Sequence, residues 1–332
     1  MSSDRALSVA IVGCGQMGRK HAINCQHIEG VSIVAVADVD IGRAEALAAE
    51  VRAVPYSRFD ELIEHVAPDA LIVTTPPTER LHIVEAATSK KIAVFVEKPI
   101  ALDLSTAKKM CHAAHEASII NAVGFQLRYS PLTQHAKTLI SGRRVTHVRT
   151  ATTTDYYLKM DMPPWFLQRR LSGGPLLEQS LHVFDAARYL IGDITEVTGR
   201  GDRLIRPDLA QFDSEDTMVL AYRFGNGALG THIDSCAMGE FNWEVELFGT
   251  DWRLLVDYAR KCLRGHVNGK AVQLEATEDE THMQEMGAFL GAVRHRKNDG
   301  VLSDFANATK TLAVMLAGDR SLRTGVWEPV NE

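Results

Sequence analysis

A glycine-rich turn near the N-terminus constrains the fold of this chain more than any other segment. It reads Gly13-Cys-Gly-Gln-Met-Gly18, follows the apolar run 8–12 and precedes a segment with helical character. Glycines at this spacing permit a tight turn, a close approach of the backbone to a phosphate, and close packing of the helix on the strand. The pattern therefore predicts a strand, a phosphate-binding turn and a helix in succession.

A second apolar run, 31–37, ends at Asp38, which lies 20 residues after Gly18. A carboxylate at that place accepts hydrogen bonds from the hydroxyls of an adenosine ribose and repels a 2′-phosphate. Gly13, Gly15, Gly18 and Asp38 together predict a dinucleotide site, with NAD preferred over NADP. The alternative is a glycine turn that binds no phosphate, beside a surface aspartate.

The pattern of predicted strands and helices changes near residue 125. Up to residue 124, apolar runs alternate with helical segments, which predicts a doubly wound, mostly parallel sheet of the α/β class. After Phe125, β-type runs follow each other with one helix among them, at 175–191. The runs are 145–157, 196–205, 217–224, 228–235 and 243–248. The turn Gly225-Asn-Gly227 predicts a hairpin over 217–235, and alternation of polar and apolar residues favours an antiparallel sheet.

We therefore expect two domains. Residues 1–124 are predicted to form an NAD-binding Rossmann domain, and 125–332 an α+β domain. The second domain is expected to hold an open, mainly antiparallel sheet with helices on one face. The final helices, 283–296 and 304–320, could pack on either domain.

Composition excludes several classes of protein. The net charge of −6 and the pI near 6.1 argue against a nucleic-acid partner, which needs a clustered basic face. Five scattered cysteines without a Cys-x-x-Cys pair predict a reducing compartment and no structural zinc. No apolar stretch approaches the ~18 residues of a membrane helix. We expect a cytoplasmic protein without a membrane or nucleic-acid partner.

The segment Ala93-Val-Phe-Val-Glu-Lys-Pro99 is a short apolar run that ends in a charged pair and a proline. Such a run is typical of a buried parallel strand, and the C-terminal end of such a strand presents ligand-binding residues. Pro99 disfavours helical backbone at Lys98. The ammonium of Lys98 can then donate to a substrate hydroxyl or a cofactor ribose; a surface lysine after a strand is the alternative. The turn from Thr74 to Pro77 is expected beside the same ligand-binding edge of the sheet.

The helix at 175–191 carries Glu178, His182 and Asp185 at spacings of four and three, which places them on one face. Two carboxyl groups and an imidazole on one face form a candidate proton-handling site. Histidine can accept a hydroxyl proton near neutral pH, because its unperturbed pKa is near 6.5. A structural histidine is the alternative. The Glu-x3-His pair lacks a third ligand nearby, so we expect no metal.

Taken together, these motifs resemble the Gfo/Idh/MocA family of NAD(P)-dependent oxidoreductases. The likeness rests on five segments in order along nearly the whole chain: the glycine turn with His21, Glu97-Lys98-Pro99, Gly124-Phe-Gln-Leu-Arg-Tyr129, Gly173-Gly174 with His182 and Asp185, and Ala317 to Gly325. The resemblance implies that Lys98 positions the substrate hydroxyl and the nicotinamide ribose, and that His182 is the general acid/base. Many family members carry aspartate four residues before that histidine, whereas this chain has Glu178, whose extra methylene re-aims the carboxylate.

The resemblance implies hydride transfer between nicotinamide and a secondary alcohol of a sugar, cyclitol or related polyol. Two alternatives are an NAD-dependent glycosidase that uses transient oxidation and a non-catalytic NAD-binding regulator. The expected catalytic residues are Lys98, His182 and Glu178. The expected cofactor contacts are Gly13, Gly15, Gln16, Met17, Gly18, Asp38, Thr75, Pro76, His82, Glu97, Lys98 and Arg128. The expected substrate contacts are Lys98, Arg128, Tyr129, Tyr156, Trp165, Glu178 and His182. The resemblance also implies that domain 125–332 binds substrate and mediates oligomerisation, as a homodimer or homotetramer formed through the C-terminal sheet.

Overall fold

The computed structural model describes residues 5–155, 163–205, 212–236, 240–276 and 280–331. The chain divides into two compact units. The first comprises the described residues up to Gln126 together with Glu280–Ala308, and the second those between Leu127 and Asp279 and from Thr309 onward. The first of the final helices therefore lies in the first unit, a placement that the sequence left open.

The first unit is built on a six-stranded sheet, and all of its strand pairs are parallel. Its strands are β1 (Leu7–Val12), β2 (Val31–Ala37), β3 (Val54–Tyr56), β4 (Ala70–Val73), β5 (Ala93–Val96) and β6 (Asn121–Val123). The order across the sheet is β3-β2-β1-β4-β5-β6. This is the order of a dinucleotide-binding doubly wound sheet, so the predicted fold class is confirmed.

Helices connect these strands and cover the sheet. They are α1 (Gln16–Gln26), α2 (Ile41–Val51), α3 (Phe59–Val66), α4 (Arg80–Ser89) and α5 (Leu104–Glu116). A later helix, α9 (Thr281–His295), adds Met286, Phe289 and Leu290 to the apolar core beneath β1 and β5. Every residue of β4 and β5 is buried, as expected for strands covered on both faces.

The strand register brings the ends of the strands to one edge. Val12 pairs with both Ala37 and Val73, and Val96 pairs with both Val73 and Val123. The residues that follow these partners therefore lie along the carboxyl edge of the sheet, where ligands bind in folds of this kind. They are Gly13, Asp38, Thr74, Glu97 and Gly124.

The second unit contains a nine-stranded sheet. Its strands are β7 (Val145–Thr153), β8 (Ile194–Asp202), β9 (Thr217–Phe224), β10 (Leu229–Ser235), β11 (Asn242–Gly249), β12 (Trp252–Asp257), β13 (Cys262–Val267), β14 (Lys270–Glu275) and β15 (Glu328–Pro329). Their order is β14-β13-β12-β11-β7-β10-β9-β8-β15. All of the pairs are antiparallel except β7 with β10, which confirms a mainly antiparallel sheet.

The helices around this sheet are α6 (Pro131–Ile140), α7 (Arg169–Ser172), α8 (Leu181–Ile191) and α10 (Phe305–Thr324), whose first residues, 305–308, belong to the first unit. The predicted hairpin over 217–235 is formed by β9 and β10. In the part of the chain that the structure describes, no helix is long and apolar enough to cross a membrane.

The helix expected over 175–191 differs from the prediction in one respect. Its first turn, Leu176–Ser180, is a π-helix, and the α-helix begins only at Leu181. A π turn holds one more residue than an α turn, so Glu178 and His182 do not have the simple i, i+4 relation of an α-helix. Isolated π turns inside helices occur frequently at functional sites.

Candidate functional site

The glycine turn in the first unit has the geometry of a phosphate-binding loop. Gly13 has φ of +98°, and a Cβ on Gly18 would lie 2.0 Å from the Gly13 carbonyl oxygen, so neither position tolerates a side chain. A Cβ on Gly15, by contrast, would meet nothing within 4 Å. No side chain caps the N-terminus of α1, which begins at Gln16 beside exposed Gly15 and half-buried Met17. Open space and uncapped amide groups suit an anion.

Asp38 lies directly beside this loop. Its Oδ2 accepts a hydrogen bond from the Cys14 amide at 2.7 Å, and its Oδ1 accepts one from the Asp40 amide at 2.9 Å. The two bonds orient a half-buried carboxylate, whose oxygens have lone pairs left for ribose hydroxyls. The glycine loop and Asp38 therefore fit a dinucleotide, and they occupy the positions predicted from the sequence.

The loop after β4 is tied to the glycine turn. The Thr74 hydroxyl donates to the Gly13 carbonyl oxygen at 2.6 Å, and half-buried Thr75 and Pro76 follow. His82, another predicted cofactor contact, lies on α4 with 78% of its side chain exposed, 3.6 Å from Glu85. The roles of Thr75, Pro76 and His82 stay predictions.

The Glu97 carboxylate is buried at the carboxyl end of β5. Its Oε1 lies 2.6 Å from Nε2 of fully buried His21, and its Oε2 accepts the Lys98 amide at 3.1 Å. Burial alone raises the pKa of Glu97, but the hydrogen bond with His21 and the electrostatic interactions with His21, Lys98 and His282 hold it at about 2. Glu97 is therefore ionised, and its charge fixes the backbone at half-buried Lys98.

Arg80 also contacts the backbone around Lys98, and nothing in the sequence analysis singled it out. Its guanidinium donates to the carbonyl oxygens of Thr75, Glu97 and Pro99, and the side chain is buried. One sequence signal was available. Arg80 lies on the buried face of α4 with Ile83, Val84 and Ala87, at a helical position where an apolar residue is typical.

In the second unit, Glu178 and His182 are both buried, on the π turn and the first turn of α8 respectively. The His182 ring stacks on Trp243 of β11, with centroids 4.3 Å apart and planes inclined by 32°. Trp243, which the sequence analysis missed, restricts the orientation of the imidazole.

A buried polar network anchors the π turn from the sheet. Between Glu178 and His182, the Ser180 hydroxyl donates to Asp234 Oδ2 of β10 and lies 2.8 Å from His232 Nε2. His232 Nδ1 in turn lies 2.9 Å from the Thr150 hydroxyl of β7. Burial raises the pKa of Asp234 to about 7, against the effect of the Ser180 hydrogen bond, and lowers the pKa of His232 to about 3. The sequence offered no signal for these contacts, which join segments far apart in the chain.

Asp185, expected beside His182 on a proton-handling face, has structural partners. Its carboxylate accepts two hydrogen bonds of 2.7 Å from the buried Arg128 guanidinium and a third, of 2.7 Å, from the Thr311 hydroxyl. The bidentate pair holds the turn Gln126–Tyr129 against α8. The predicted cofactor and substrate contacts of Arg128 stay predictions.

The remaining predicted substrate residues have varied surroundings. Tyr129 is half-buried, whereas Tyr156 lies outside the described residues. Trp165 packs edge-on against Phe166, at 5.6 Å between centroids, in a small apolar cluster with Phe212. Within the described residues, no three histidine, cysteine, aspartate or glutamate side chains are grouped to hold a metal ion.

Comparison with known families gives matches over most of the chain. Residues 7–125 match the model described as oxidoreductase family, NAD-binding Rossmann fold. Residues 133–254 match the model of the GFO/IDH/MocA C-terminal domain.

Relatives match over comparable lengths. The chain is 30% identical to inositol 2-dehydrogenase of Rhizobium meliloti over 299 residues, which cover 85% of this chain and 87% of the relative. It is 28% identical to scyllo-inositol 2-dehydrogenase (NAD(+)) of Bacillus subtilis over 328 residues, which cover 96% and 94%. The solved structure of levoglucosan dehydrogenase in complex with NADH and levoglucosan superposes with a TM-score of 0.89 at 21% identity, over 98% of this chain and all of that one. This last likeness concerns the fold.

The raised pKa of Asp234 leads to a prediction about stability. The folded protein keeps this proton up to about pH 7, whereas an unfolded aspartate loses it near 4. This group therefore lowers the free energy of unfolding as the pH rises from about 4 to about 7. We expect Asp234→Asn, which cannot ionise, to gain stability relative to wild type over that interval and to show a constant difference above it. Urea unfolding midpoints at pH 5, 6, 7 and 8 measure this difference, and one that does not depend on pH would contradict the prediction.

Proposed function

This chain belongs to the Gfo/Idh/MocA family of NAD-binding oxidoreductases, and we propose that it transfers a hydride between nicotinamide and a secondary alcohol of a sugar, cyclitol or related polyol. The observation that carries the proposal is the fixed position of Lys98. A buried, ionised Glu97 holds its amide at the carboxyl edge of the parallel sheet, beside the glycine loop and Asp38. A cation at that edge suits an oxygen that becomes negatively charged during the reaction.

The names of the relatives support the proposed substrate class. Two relatives that match over most of their length are named 2-dehydrogenases of inositols, which are cyclitols. At 28–30% identity the substrate itself can differ, and Glu178 stands where the family resemblance leads one to expect aspartate. We therefore assign the class of secondary alcohols on polyols rather than one compound.

Each proposed catalytic group has its own task. When bound, the nicotinamide supplies the hydride chemistry. His182, restrained by Trp243, accepts the proton of the reacting hydroxyl during oxidation and returns it during reduction. The Lys98 ammonium donates a hydrogen bond to the same oxygen and stabilises its negative charge. Glu178 accepts a hydrogen bond from a neighbouring substrate hydroxyl or orients His182.

A screen of inositols, aldoses and glycosides with NAD+ at alkaline pH tests the proposal. Reduced nicotinamide that accumulates with one of these alcohols is the expected result. Release of sugar from a glycoside without accumulation of NADH would favour the glycosidase alternative. NAD binding without turnover of any compound would favour a regulator.

Replacement of His182 tests its role as the base. We expect His182→Ala to lower kcat by roughly 10²-fold or more, because general-base catalysis contributes about that much, while NAD still binds. His266→Ala, which changes an exposed histidine of β13 in the same unit, is the matched control and should retain full turnover. Unchanged kcat in His182→Ala would remove His182 from the mechanism.

We also propose that NAD is the cofactor rather than NADP. The Asp38 carboxylate, oriented by the amides of Cys14 and Asp40, would repel a 2′-phosphate. NAD should bind at least about tenfold more tightly than NADP, a difference of ~1.4 kcal/mol, as measured by fluorescence quenching. Asp38→Asn keeps an acceptor for the backbone but loses the charge, so the preference should shrink. Tighter binding of NADP to wild type would overturn the assignment.

The second sheet supports a proposed homo-oligomer. Val219 of β9 pairs with Ile233 of β10, and Leu229 lies on the same face four residues before Ile233. All three are exposed, at 56%, 46% and 45%. An apolar stripe of this kind favours burial against a second copy of the chain. Sedimentation equilibrium should report a dimer or tetramer, and a monomer mass at micromolar concentration would refute the proposal.

A further inference from the structure

We propose that Arg80 is a positioning residue for Lys98: its guanidinium fixes the backbone on both sides of Lys98 and links it to the loop that follows β4. This inference rests on the role proposed above for Lys98. Arg80 itself does not touch the reacting atoms in this proposal. It acts by holding the lysine where the reaction needs it.

The contacts of the guanidinium are the first support. Nε and Nη2 both donate to the Thr75 carbonyl oxygen, at 2.9 and 2.7 Å. Nη1 donates to the carbonyl oxygens of Glu97 and Pro99. Those two carbonyls belong to the residues immediately before and after Lys98. One side chain therefore holds both neighbours of the lysine at once.

The location of these carbonyls is the second support. Thr75 follows β4 and Glu97 follows β5. The two strands are paired neighbours, so both residues lie at the carboxyl edge of the sheet. Arg80 is 3% exposed, so its charge-assisted hydrogen bonds face little competition from water. The guanidinium thus links the loop after β4 to the loop after β5 and restrains both.

A third observation concerns the opposite side of Lys98. Its amide donates to Glu97 Oε2, and the other oxygen of that carboxylate contacts His21 of α1. The amide and both flanking carbonyls of the Lys98 segment are therefore anchored, by an anion and by a cation. A displacement of ~1 Å of a catalytic group can lower a rate by about 10²-fold.

The planar fork of arginine suits this task, because it presents five donors in fixed directions, whereas the ammonium of lysine is a compact charge whose three donors lack that fixed geometry. We therefore expect Arg80→Lys and Arg80→Met to lower kcat by roughly 10- to 100-fold. The Kd for NAD should change by a smaller factor, because Asp38 and the glycine loop are untouched.

Arg294→Met is the matched control. Arg294 also lies in the first unit and donates to two backbone carbonyls, those of Glu29 and Gly30, which precede β2 at the other end of the sheet. Arg294 is exposed, so the same substitution there removes backbone contacts at the surface, far from the carboxyl edge, and kcat should stay at the wild-type value. Circular dichroism and melting temperature establish that each variant is folded. If Arg80→Met fails to fold, Arg80→Lys takes its place.

A double-mutant cycle separates a positioning role from a merely structural one. If Arg80 acts through Lys98, adding Arg80→Met to a Lys98→Met enzyme should lower the residual kcat by less than about threefold, since the group it positions is already absent. A purely structural role predicts that the two losses multiply. Multiplied losses would overturn the inference.

The cycle also separates this inference from the proposed function. If Lys98→Met retains wild-type kcat, the role of Lys98 in the proposed function fails and Arg80 has nothing to position. If Lys98→Met loses activity but Arg80→Lys and Arg80→Met match Arg294→Met, the proposed function stands and the role of Arg80 is refuted.

Discussion

The hydrogen-bonded pair of Glu97 and His21 is the interaction on which the first unit's site depends. An ionised carboxylate inside a protein costs several kcal/mol unless a partner offsets the loss of water, and here the imidazole lies 2.6 Å away. Gly124 leaves the room that this carboxylate needs, because a Cβ there would lie only 3.2 Å from Glu97 Oε2. Each carboxylate oxygen has a partner, His21 on one side and the Lys98 amide on the other, and the two contacts together restrain the Lys98 backbone.

In the second unit, a buried network around Ser180 restrains the π turn. Ser180 lies between Glu178 and His182, and its hydroxyl joins the π turn to Asp234 and His232 on the sheet. In both units, a proposed catalytic residue sits next to a side chain that is buried and hydrogen-bonded into regular structure. Rigid support of this kind keeps a reactive group within a fraction of an ångström of its working position.

Much of this arrangement could be predicted from local sequence signals, because they act over a few residues. The glycine turn with Asp38 predicted the first half of the sheet, and the Gly225-Asn-Gly227 turn predicted the β9–β10 hairpin. A comparable signal, Asn268-Gly269, was available for the β13–β14 hairpin, which the sequence analysis missed. The π turn and the contacts of Arg80 and Trp243 could not be predicted in this way. They depend on contacts between segments that are far apart in the chain, and local sequence patterns give no signal for such contacts.

A structure of the protein with NAD+ bound is the measurement that tests the central claim most directly, since the claim places a dinucleotide along the carboxyl edge of the first sheet. We expect its diphosphate at Gly15 and Gln16, its adenine ribose on Asp38, and its nicotinamide ribose within hydrogen-bonding distance of Lys98 Nζ. A dinucleotide whose nicotinamide end lies away from Lys98, or whose adenine ribose does not contact Asp38, would contradict the claim.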